Sequence, residues 1–232
     1  MALVKCTNLC KKFGEKVVLD NVNLTIEKGR IVGLLGKNGM GKSTVIKLLC
    51  DLLTPTSGGI LINGEPVGVG SKSVISYLPE RIALDKQMTP EQIIKYYSDF
   101  YEDFDEEKAR RLLSVLGLDT KLKLSKMSKG MQEKVQLALV MSRKAELYIL
   151  DEPMGGVDPA TRDYILDTIL TNFEDGASVL ISTHLISDIE RILDEAIFID
   201  EGKIVLHSNC DELREKENGS LDEIFRRMFR CS

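Results

Sequence analysis

Apolar and polar positions follow two patterns along this chain, and each predicts a different kind of β-strand. Val22, Leu24 and Ile26 alternate with polar residues, which is typical of a strand with one exposed face. Uninterrupted apolar runs at residues 31–35, 147–150 and 179–181 indicate buried strands of the kind found in parallel sheets.

A β-hairpin is predicted where the apolar run 60–62 is followed by Asn63-Gly64, because Asn-Gly suits a type I′ turn. Together with the half-exposed strand, this hairpin predicts a small antiparallel layer beside a mainly parallel core. The predicted fold class is therefore α/β.

Residues 88–143 have a helical pattern instead. Thr89-Pro90-Glu91-Gln92 is a capping box with proline at the first helical position. Asp105 is predicted to cap a second helix, which Gly117 ends, and a third helix is predicted from Gln132 to Met141. No strand pattern returns before Leu147, so a helical subdomain is predicted here.

These patterns predict one domain, which spans residues 1–232 and has three parts. They are a core with the antiparallel layer (1–87 and 144–210), a helical subdomain (88–143) and a C-terminal helical tail (211–232). Within the tail, an amphipathic helix at 221–229 is expected to dock on the domain.

Composition and charge limit the classes of function. The chain has 232 residues and a net charge of −5, so nothing overall favours binding to nucleic acid. No apolar run approaches the ~20 residues that span a bilayer, and the first ten residues lack signal-peptide character. Five scattered cysteines without a C-x-x-C motif predict a reduced, cytosolic protein.

One glycine-rich segment predicts nucleotide binding. It follows the buried strand 31–35, precedes the helical pattern 45–49, and reads G-x-x-x-x-G-K-S-T. Strand, glycine loop and helix is the context of a phosphate-binding loop, in which backbone N–H groups and the helix N-terminus surround an anion. The alternative is a flexible glycine turn that carries a lysine by chance. The predicted nucleotide ligands are Gly36, Lys37, Asn38, Gly39, Met40, Gly41, Lys42, Ser43 and Thr44.

Individual residues in this loop have predicted roles. Lys42 would reach the β- and γ-phosphates of a nucleotide, and the Ser43 hydroxyl would bind Mg²⁺. Phe13 is either a core aromatic or a platform on which an adenine ring stacks.

Two acids follow the buried strand 147–150. At the carboxyl edge of a parallel sheet beside a phosphate loop, Asp151 could hold Mg²⁺ through water and Glu152 could act as a general base. The alternative is a strand that ends in a polar turn. His184 directly follows the strand 179–183, and its alternatives are a structural histidine and a γ-phosphate contact.

The chain resembles the ATP-binding cassette (ABC) ATPase family over nearly its whole length. The resemblance depends on five further motifs in a fixed order with the phosphate loop. They are a position like the Q-loop (Tyr77-Leu78-Pro79-Glu80), a signature-like segment usually written L-S-G-G-Q (Met127-Ser128-Lys129-Gly130-Met131), the acidic strand, a D-loop-like segment (Gly155-Gly156-Val157-Asp158) and a histidine switch (Ser182-Thr183-His184).

This resemblance implies an ATPase that works as a dimer. ATP·Mg²⁺ would bind the phosphate loop, Asp151, Glu152 and His184, while Ser128 and Gly130 of a second cassette close over the γ-phosphate. Asp158 would also contact nucleotide. Two departures stand out. Glu80 replaces the usual glutamine, and as a predicted catalytic residue and metal ligand it keeps an oxygen for Mg²⁺ or water but adds a charge beside the ion. Lys129 and Met131 replace glycine and glutamine in the signature.

The family further implies the motor subunit of a transporter, of bacterial exporter type. Such a chain works with a separate membrane subunit and with a second cassette, identical or different, at the inner face of the membrane. The alternatives are a soluble ABC ATPase of the iron–sulfur assembly type and a small-molecule kinase. Kinases built on the phosphate loop lack the signature segment.

Overall fold

The computed structural model describes residues 2–155, 157 and 159–229. Its strands form a four-stranded antiparallel sheet and a six-stranded sheet, which confirms the predicted α/β class. The strands are β1 (Ala2–Phe13), β2 (Lys16–Glu27), β3 (Ile31–Leu35), β4 (Ser57–Ile62), β5 (Glu65–Pro66), β6 (Ile75–Leu78), β7 (Leu147–Asp151), β8 (Ser178–Thr183), β9 (Glu195–Asp200) and β10 (Lys203–Asn209).

Helices cover the sheets, and three of the longer ones fall between residues 88 and 143. None of the helices in the described part of the chain is long and apolar enough to cross a lipid bilayer. The helices are α1 (Lys42–Leu49), α2 (Val69–Val74), α3 (Pro90–Phe100), α4 (Glu106–Val115), α5 (Lys129–Met141), α6 (Pro159–Asn172), α7 (Ile186–Ile189), α8 (Cys210–Glu217) and α9 (Leu221–Phe229).

Local sequence signals explain several of these boundaries. The Thr89 hydroxyl accepts a hydrogen bond from Gln92 N and the Gln92 side chain returns one to Thr89 N, as a capping box requires. Asp105 caps α4 with a single hydrogen bond, which its Oδ1 accepts from Lys108 N at 2.8 Å. Asn63 and Gly64 both have positive φ angles, which confirms the predicted type I′ turn between β4 and β5.

One boundary differs from the sequence pattern. We expected the helix after the signature-like segment to begin at Gln132, but α5 begins at Lys129. The Ser128 hydroxyl accepts a hydrogen bond from Met131 N, so it caps the helix three residues earlier. Asp158, which precedes α6, lies outside the described residues.

The order of the six-stranded sheet, β10-β9-β3-β8-β7-β6, brings distant motifs together. Strands β3, β7 and β8 are parallel neighbours, with Leu35 beside Thr183 and Asp151 beside Ser182. Their carboxyl ends therefore meet at one edge, where the phosphate loop, the two acids and His184 follow.

Apolar side chains on the two faces of this sheet belong to two separate cores. Leu34 and Ile149 pack with α1 and the antiparallel sheet. Leu35 and Leu150 face the other way, into a core shared with α3, α4, α5 and the C-terminal helix α9. Because both faces of these strands are buried, their sequences are uninterrupted apolar runs.

Candidate functional site

The phosphate loop joins β3 to α1, and two of its glycines are required by its shape. A side chain at Gly36 would place its Cβ 2.5 Å from the carbonyl oxygen of Ile199. Gly41 has a φ of 107°, which side-chain-bearing residues rarely adopt. The loop therefore turns tightly against β9 and ends at the N-terminus of α1, where N–H groups are free to bind an anion.

Lys42 is held inside this loop. Its side chain is 5% exposed, and its Nζ donates hydrogen bonds to the carbonyl oxygens of Gly36 (2.8 Å) and Lys37 (3.2 Å). The same Nζ lies 3.3 Å from Glu152 Oε1. A buried cation is thus fixed between the loop backbone and an acid, in a position to meet a phosphate group.

Asp151 is buried behind the loop and shares its Oδ1 between two hydroxyls. Ser182 Oγ donates at 2.5 Å and Ser43 Oγ at 3.2 Å. Burial raises the pKa of the Asp151 carboxyl, the two hydroxyl hydrogen bonds lower it, and the negative charges of Glu80 and Glu152 raise it further.

Ser43 and Asp151 are a donor set that suits Mg²⁺. Both offer oxygen atoms, which Mg²⁺ prefers, and Mg²⁺ is commonly held by one or two carboxylates together with substrate phosphates. Within the described residues, no group of three or more His, Cys, Asp or Glu side chains forms a metal site by itself. An ion here would therefore need nucleotide oxygens as well.

Glu152 has a backbone φ of 51°, an uncommon value for a residue other than glycine. Its Oε2 lies 3.0 Å from His184 Nδ1 and accepts a hydrogen bond from Thr183 Oγ1 at 3.2 Å. Its Oε1 is buried and makes no hydrogen bond, with Lys42 Nζ as a cation 3.3 Å away. One oxygen is thus fixed by Thr183 and His184, while the other lies beside Lys42.

These groups open onto one cleft of about 570 Å³ at the carboxyl edge of the sheet. The cleft contains most of the predicted phosphate-binding side chains and both members of the Glu152–His184 pair. It is lined by Val18, Asn38, Gly39, Gly41, Lys42, Ser43, Thr44, Glu80, Lys129, Glu152, Gly155 and His184.

Other predicted site residues do not line this cleft. Phe13 is 49% exposed near the end of β1, so it is not a core aromatic, and Lys11 Nζ lies 4.9 Å from its ring centre. Ser128 is exposed and Gly130 is half-buried on the signature-like segment. Asp158, with Gly156, lies outside the described residues.

Three residues of the phosphate loop support it from outside the cleft. The Gly36 carbonyl binds Lys42, as described above, and Met40 Sδ accepts a hydrogen bond from Glu201 N at 3.3 Å. Lys37 points away from the cleft and donates from Nζ to the carbonyl oxygen of Phe229 on α9 at 3.2 Å. The loop is therefore tied to the β9–β10 turn and to the C-terminal helix.

A family profile described as ABC transporter matches residues 19–155, which is more than half of the chain. The chain belongs to the ABC transporter family. It is an ATP-binding subunit of such a transporter and hydrolyses ATP, as predicted from the sequence motifs. The matched residues include the phosphate loop and both acids.

Similar proteins extend this likeness over almost the whole chain. The ABC-type transporter ATP-binding protein EcsA of Bacillus subtilis is 32% identical, covering 97% of this chain and 96% of its own. The Nod factor export ATP-binding protein I of Sinorhizobium fredii is 31% identical over 93% of this chain and 65% of its own. These relatives favour the transporter hypothesis over a soluble assembly-type ATPase.

Solved structures share the fold. The ATP-binding subunit of an ABC transporter superposes with a TM-score of 0.86 at 29% identity, covering 97% of this chain and 98% of its own. A dimeric ATP-binding cassette bound to ADP and Pi has a TM-score of 0.78 at 24% identity, covering 89% of this chain and 98% of its own.

The structure adds contacts to this ABC transporter subunit that the motifs alone did not predict. Ser182 and Thr183 hold the two acids through their hydroxyls, although the sequence pointed only to His184 as the functional member of that motif. Val18, Gly155 and Lys129 line the cleft as well. The hydroxyl contacts depend on the pairing of β7 with β8, which no local sequence pattern specifies.

Proposed function

We propose that this chain hydrolyses ATP at Glu152, in a site completed by a second cassette, and drives export through a separate membrane subunit. The observation that carries the site assignment is the Glu152 carboxylate. One oxygen is held by His184 and Thr183, and the other is buried, makes no hydrogen bond and faces the phosphate loop.

In this mechanism the loop N–H groups and Lys42 hold the β- and γ-phosphates. Glu152 Oε1 takes a proton from a water molecule as the water oxygen forms a bond to the γ-phosphorus. The bond between the γ-phosphorus and the β–γ bridging oxygen breaks, which leaves ADP and phosphate. His184 fixes the orientation of the base, and its other ring nitrogen is available to the γ-phosphate.

Ser43 and Asp151 would hold Mg²⁺, with Glu80 at the same cleft as a further oxygen donor. Bound there, the ion neutralises charge on the β- and γ-phosphate oxygens. Ser182 keeps Asp151 oriented through the 2.5 Å hydrogen bond.

A second copy of the chain would supply Ser128 and Gly130. Ser128 caps α5, and neither Ser128 nor Gly130 lines the cleft of its own chain. A helix N-terminus with a hydroxyl is suited to bind a phosphate. One chain carries one of each half-site, so a two-fold dimer would have two equivalent ATP sites.

A groove between the core and the helical subdomain supports a membrane partner. Its volume is about 630 Å³, and its lining includes Leu52, Val69, Tyr97, Phe100 and Tyr101. Val69 is 89% exposed and Phe100 66% exposed, which is unusual for apolar side chains on one contiguous surface. We propose that a short helix of the membrane subunit docks here, which would keep the chain at the cytoplasmic face of a membrane.

Export is the direction favoured by the relatives. The Sinorhizobium fredii protein is named for Nod factor export. The signature-like segment, with the sequence Ser128-Lys129-Gly130-Met131, also resembles that of exporter-type cassettes.

To test the docking site, two variants of the chain are purified from detergent-solubilised membranes, and the membrane proteins that co-purify with each are compared. Phe100→Glu places a charge in the groove, whereas Val115→Glu, at a side chain 67% exposed on α4, does not. We expect Val115→Glu to co-purify a multi-spanning membrane protein and Phe100→Glu to lose it, while both retain ATPase activity when isolated. Recovery of the same membrane protein with both variants, or of soluble partners alone, would contradict the docking proposal.

A further inference from the structure

Gln136 is a buried polar side chain on α5 that the mechanism above does not use. It is 4% exposed, and both of its polar atoms bind the loop that follows β6. Its Oε1 accepts a hydrogen bond from Ala83 N at 2.9 Å, and its Nε2 donates one to the Pro79 carbonyl oxygen at 3.3 Å. The two bonds therefore hold this loop on either side of Glu80.

The loop after β6 is not part of a helix or strand. The strand ends at Leu78, and the next helix begins at Pro90. In the described part of the chain, the two bonds from Gln136 are the hydrogen bonds that reach the backbone of residues 79–83 from another element. The position of this loop therefore depends directly on α5.

Glu80 lies where two carboxylates can share one cation. Leu78 pairs with Leu150 in the parallel β6–β7 ladder. Glu80 and Asp151, which come after these residues, therefore lie at the same edge of the sheet. Glu80 lines the cleft, and its negative charge is close enough to raise the pKa of the Asp151 carboxyl. Such a pair suits Mg²⁺, which is commonly bound through one or two carboxylates.

A second buried glutamine lies one turn earlier on α5 and binds a different segment. Gln132 is 8% exposed, and its Nε2 donates to the carbonyl oxygens of Leu124 at 2.9 Å and Met127 at 3.0 Å. These bonds hold the segment before α5, not the loop after β6. Gln132 and Gln136 thus share residue type, helix and burial, and differ in the segment that each holds.

We propose that Gln136 is a positioning residue, which holds the Glu80 carboxylate beside the Mg²⁺ that accompanies the nucleotide. Gln136 acts through the loop backbone and touches neither the ion nor the nucleotide. Loss of such an outer partner typically costs about 10- to 100-fold in metal affinity. This inference rests on Mg²⁺ binding near Ser43 and Asp151, which was proposed above.

The test measures how Mg²⁺ changes the binding of a fluorescent, non-hydrolysable ATP analogue, so that no turnover enters the readout. The protein is kept dilute enough for light scattering to give the single-chain mass. Gln136→Met keeps the approximate length of the side chain and removes both hydrogen bonds. Gln132→Met is the matched control. Each variant is also combined with Glu80→Ala, which removes the carboxylate.

We expect Gln136→Met to raise the Mg²⁺ concentration that gives half of the effect by about tenfold. Gln132→Met should leave that concentration within about twofold of the wild type, because residues 124–127 do not line the cleft. Glu80→Ala should itself raise the Mg²⁺ requirement. In Glu80→Ala protein, Gln136→Met should add no further shift, because it acts through that carboxylate.

Hydrogen exchange of the wild-type protein provides a second measurement, which also covers the case in which Gln136→Met does not fold. Ala83 is exposed and lies in a loop, and its N–H donates to Gln136. We expect this N–H to exchange about tenfold or more slowly than an unprotected loop amide. Exchange at the unprotected rate would overturn the inference.

The outcomes separate this inference from the proposed metal site. Unchanged Mg²⁺ dependence in Gln136→Met, with a clear shift in Glu80→Ala, would overturn the inference and leave the metal site intact. Equal shifts in the two glutamine variants, or a shift that persists undiminished in Glu80→Ala protein, would overturn it as well. No shift in Glu80→Ala would remove Glu80 from the metal site and the inference with it. Unchanged Mg²⁺ dependence in Asp151→Asn would instead contradict the proposed metal site itself.

Discussion

The phosphate-loop region and the signature-like segment are both expected to contact ATP, but the chain holds them in different ways. Lys42 and Asp151 are buried, and each makes at least two hydrogen bonds within the chain. Ser128 is exposed, and its hydroxyl accepts one hydrogen bond, from Met131 N at the start of α5. The side chains of the first region are fixed by contacts within the chain, whereas the second region presents its groups outward.

This difference suggests a division of work. The phosphate-loop region can bind nucleotide within one chain. Ser128 does not line that cleft in its own chain, so we expect its hydroxyl to meet the nucleotide of a second chain. Since binding of ATP would link the two surfaces, ATP would favour the closed dimer and hydrolysis would release it.

The largest loss of turnover should come from a substitution in the phosphate-loop region. Glu152→Gln keeps the size of the side chain and removes the base, so turnover should fall by about 10²–10⁴ while ATP still binds. Steady-state phosphate release and ATP binding on the same sample provide the measurement. Glu91→Gln is the control, since Glu91 is an exposed acid on α3 that pairs with Arg110 at 2.8 Å. Turnover at the wild-type level in Glu152→Gln would exclude Glu152 as the base.

A smaller and more selective effect is expected from the signature-like segment. Ser128→Ala should lower turnover by about ten- to a hundredfold, the range for loss of a hydrogen bond to a charged group. ATP affinity of the single chain should change by less than about twofold, because Ser128 does not line its own cleft. Ser125→Ala, an exposed serine on the preceding turn, serves as the control. An equal loss of affinity and turnover would place Ser128 in the first region instead.

The buried carboxylate of Asp151 should make the phosphate-loop region less stable at neutral pH. Burial raises the pKa of the Asp151 carboxyl, so the folded chain binds this proton more readily than the unfolded chain. The ionised carboxylate therefore lowers the free energy of unfolding at neutral pH, and this penalty disappears as pH falls toward the ordinary carboxyl range.

Asp151→Asn should accordingly raise the Tm of the nucleotide-free protein at pH 7 by about 2–4 °C, which corresponds to ~1 kcal/mol in a chain of this size. The gain over wild type should shrink as the pH of the thermal scan is lowered from 8 to 5. Asp163→Asn, at a side chain 75% exposed, should show no such trend. A gain that grows at lower pH would contradict the sign of the shift.

The phosphate loop could be predicted from the sequence because its chemistry is local. The spacing of Gly36, Gly41 and Lys42, with a strand before and a helix after, needs no knowledge of distant residues. The hairpin at Asn63-Gly64 and the cap of α3 were predictable for the same reason.

Contacts between strands were not predictable in this way. Ser182 holds Asp151 only because β7 and β8 are parallel neighbours in one particular register. Lys129 was noted as a departure, but an exposed lysine on a helix is usually solvated. Its position at the cleft depends on how α5 packs against the sheet.

The central claim is that the phosphate-loop region of one chain and the signature-like segment of another close over the same ATP. The most direct test is the molecular mass of the Glu152→Gln variant in solution. This variant should bind ATP without hydrolysing it, so the closed state would accumulate. Light scattering should give a doubled mass with ATP and a single-chain mass with ADP, and adding Ser128→Ala should lower the dimer fraction at the same ATP occupancy. A single-chain mass at saturating ATP, or a dimer indifferent to both nucleotide and Ser128, would contradict an ATP site completed by a second copy of this chain.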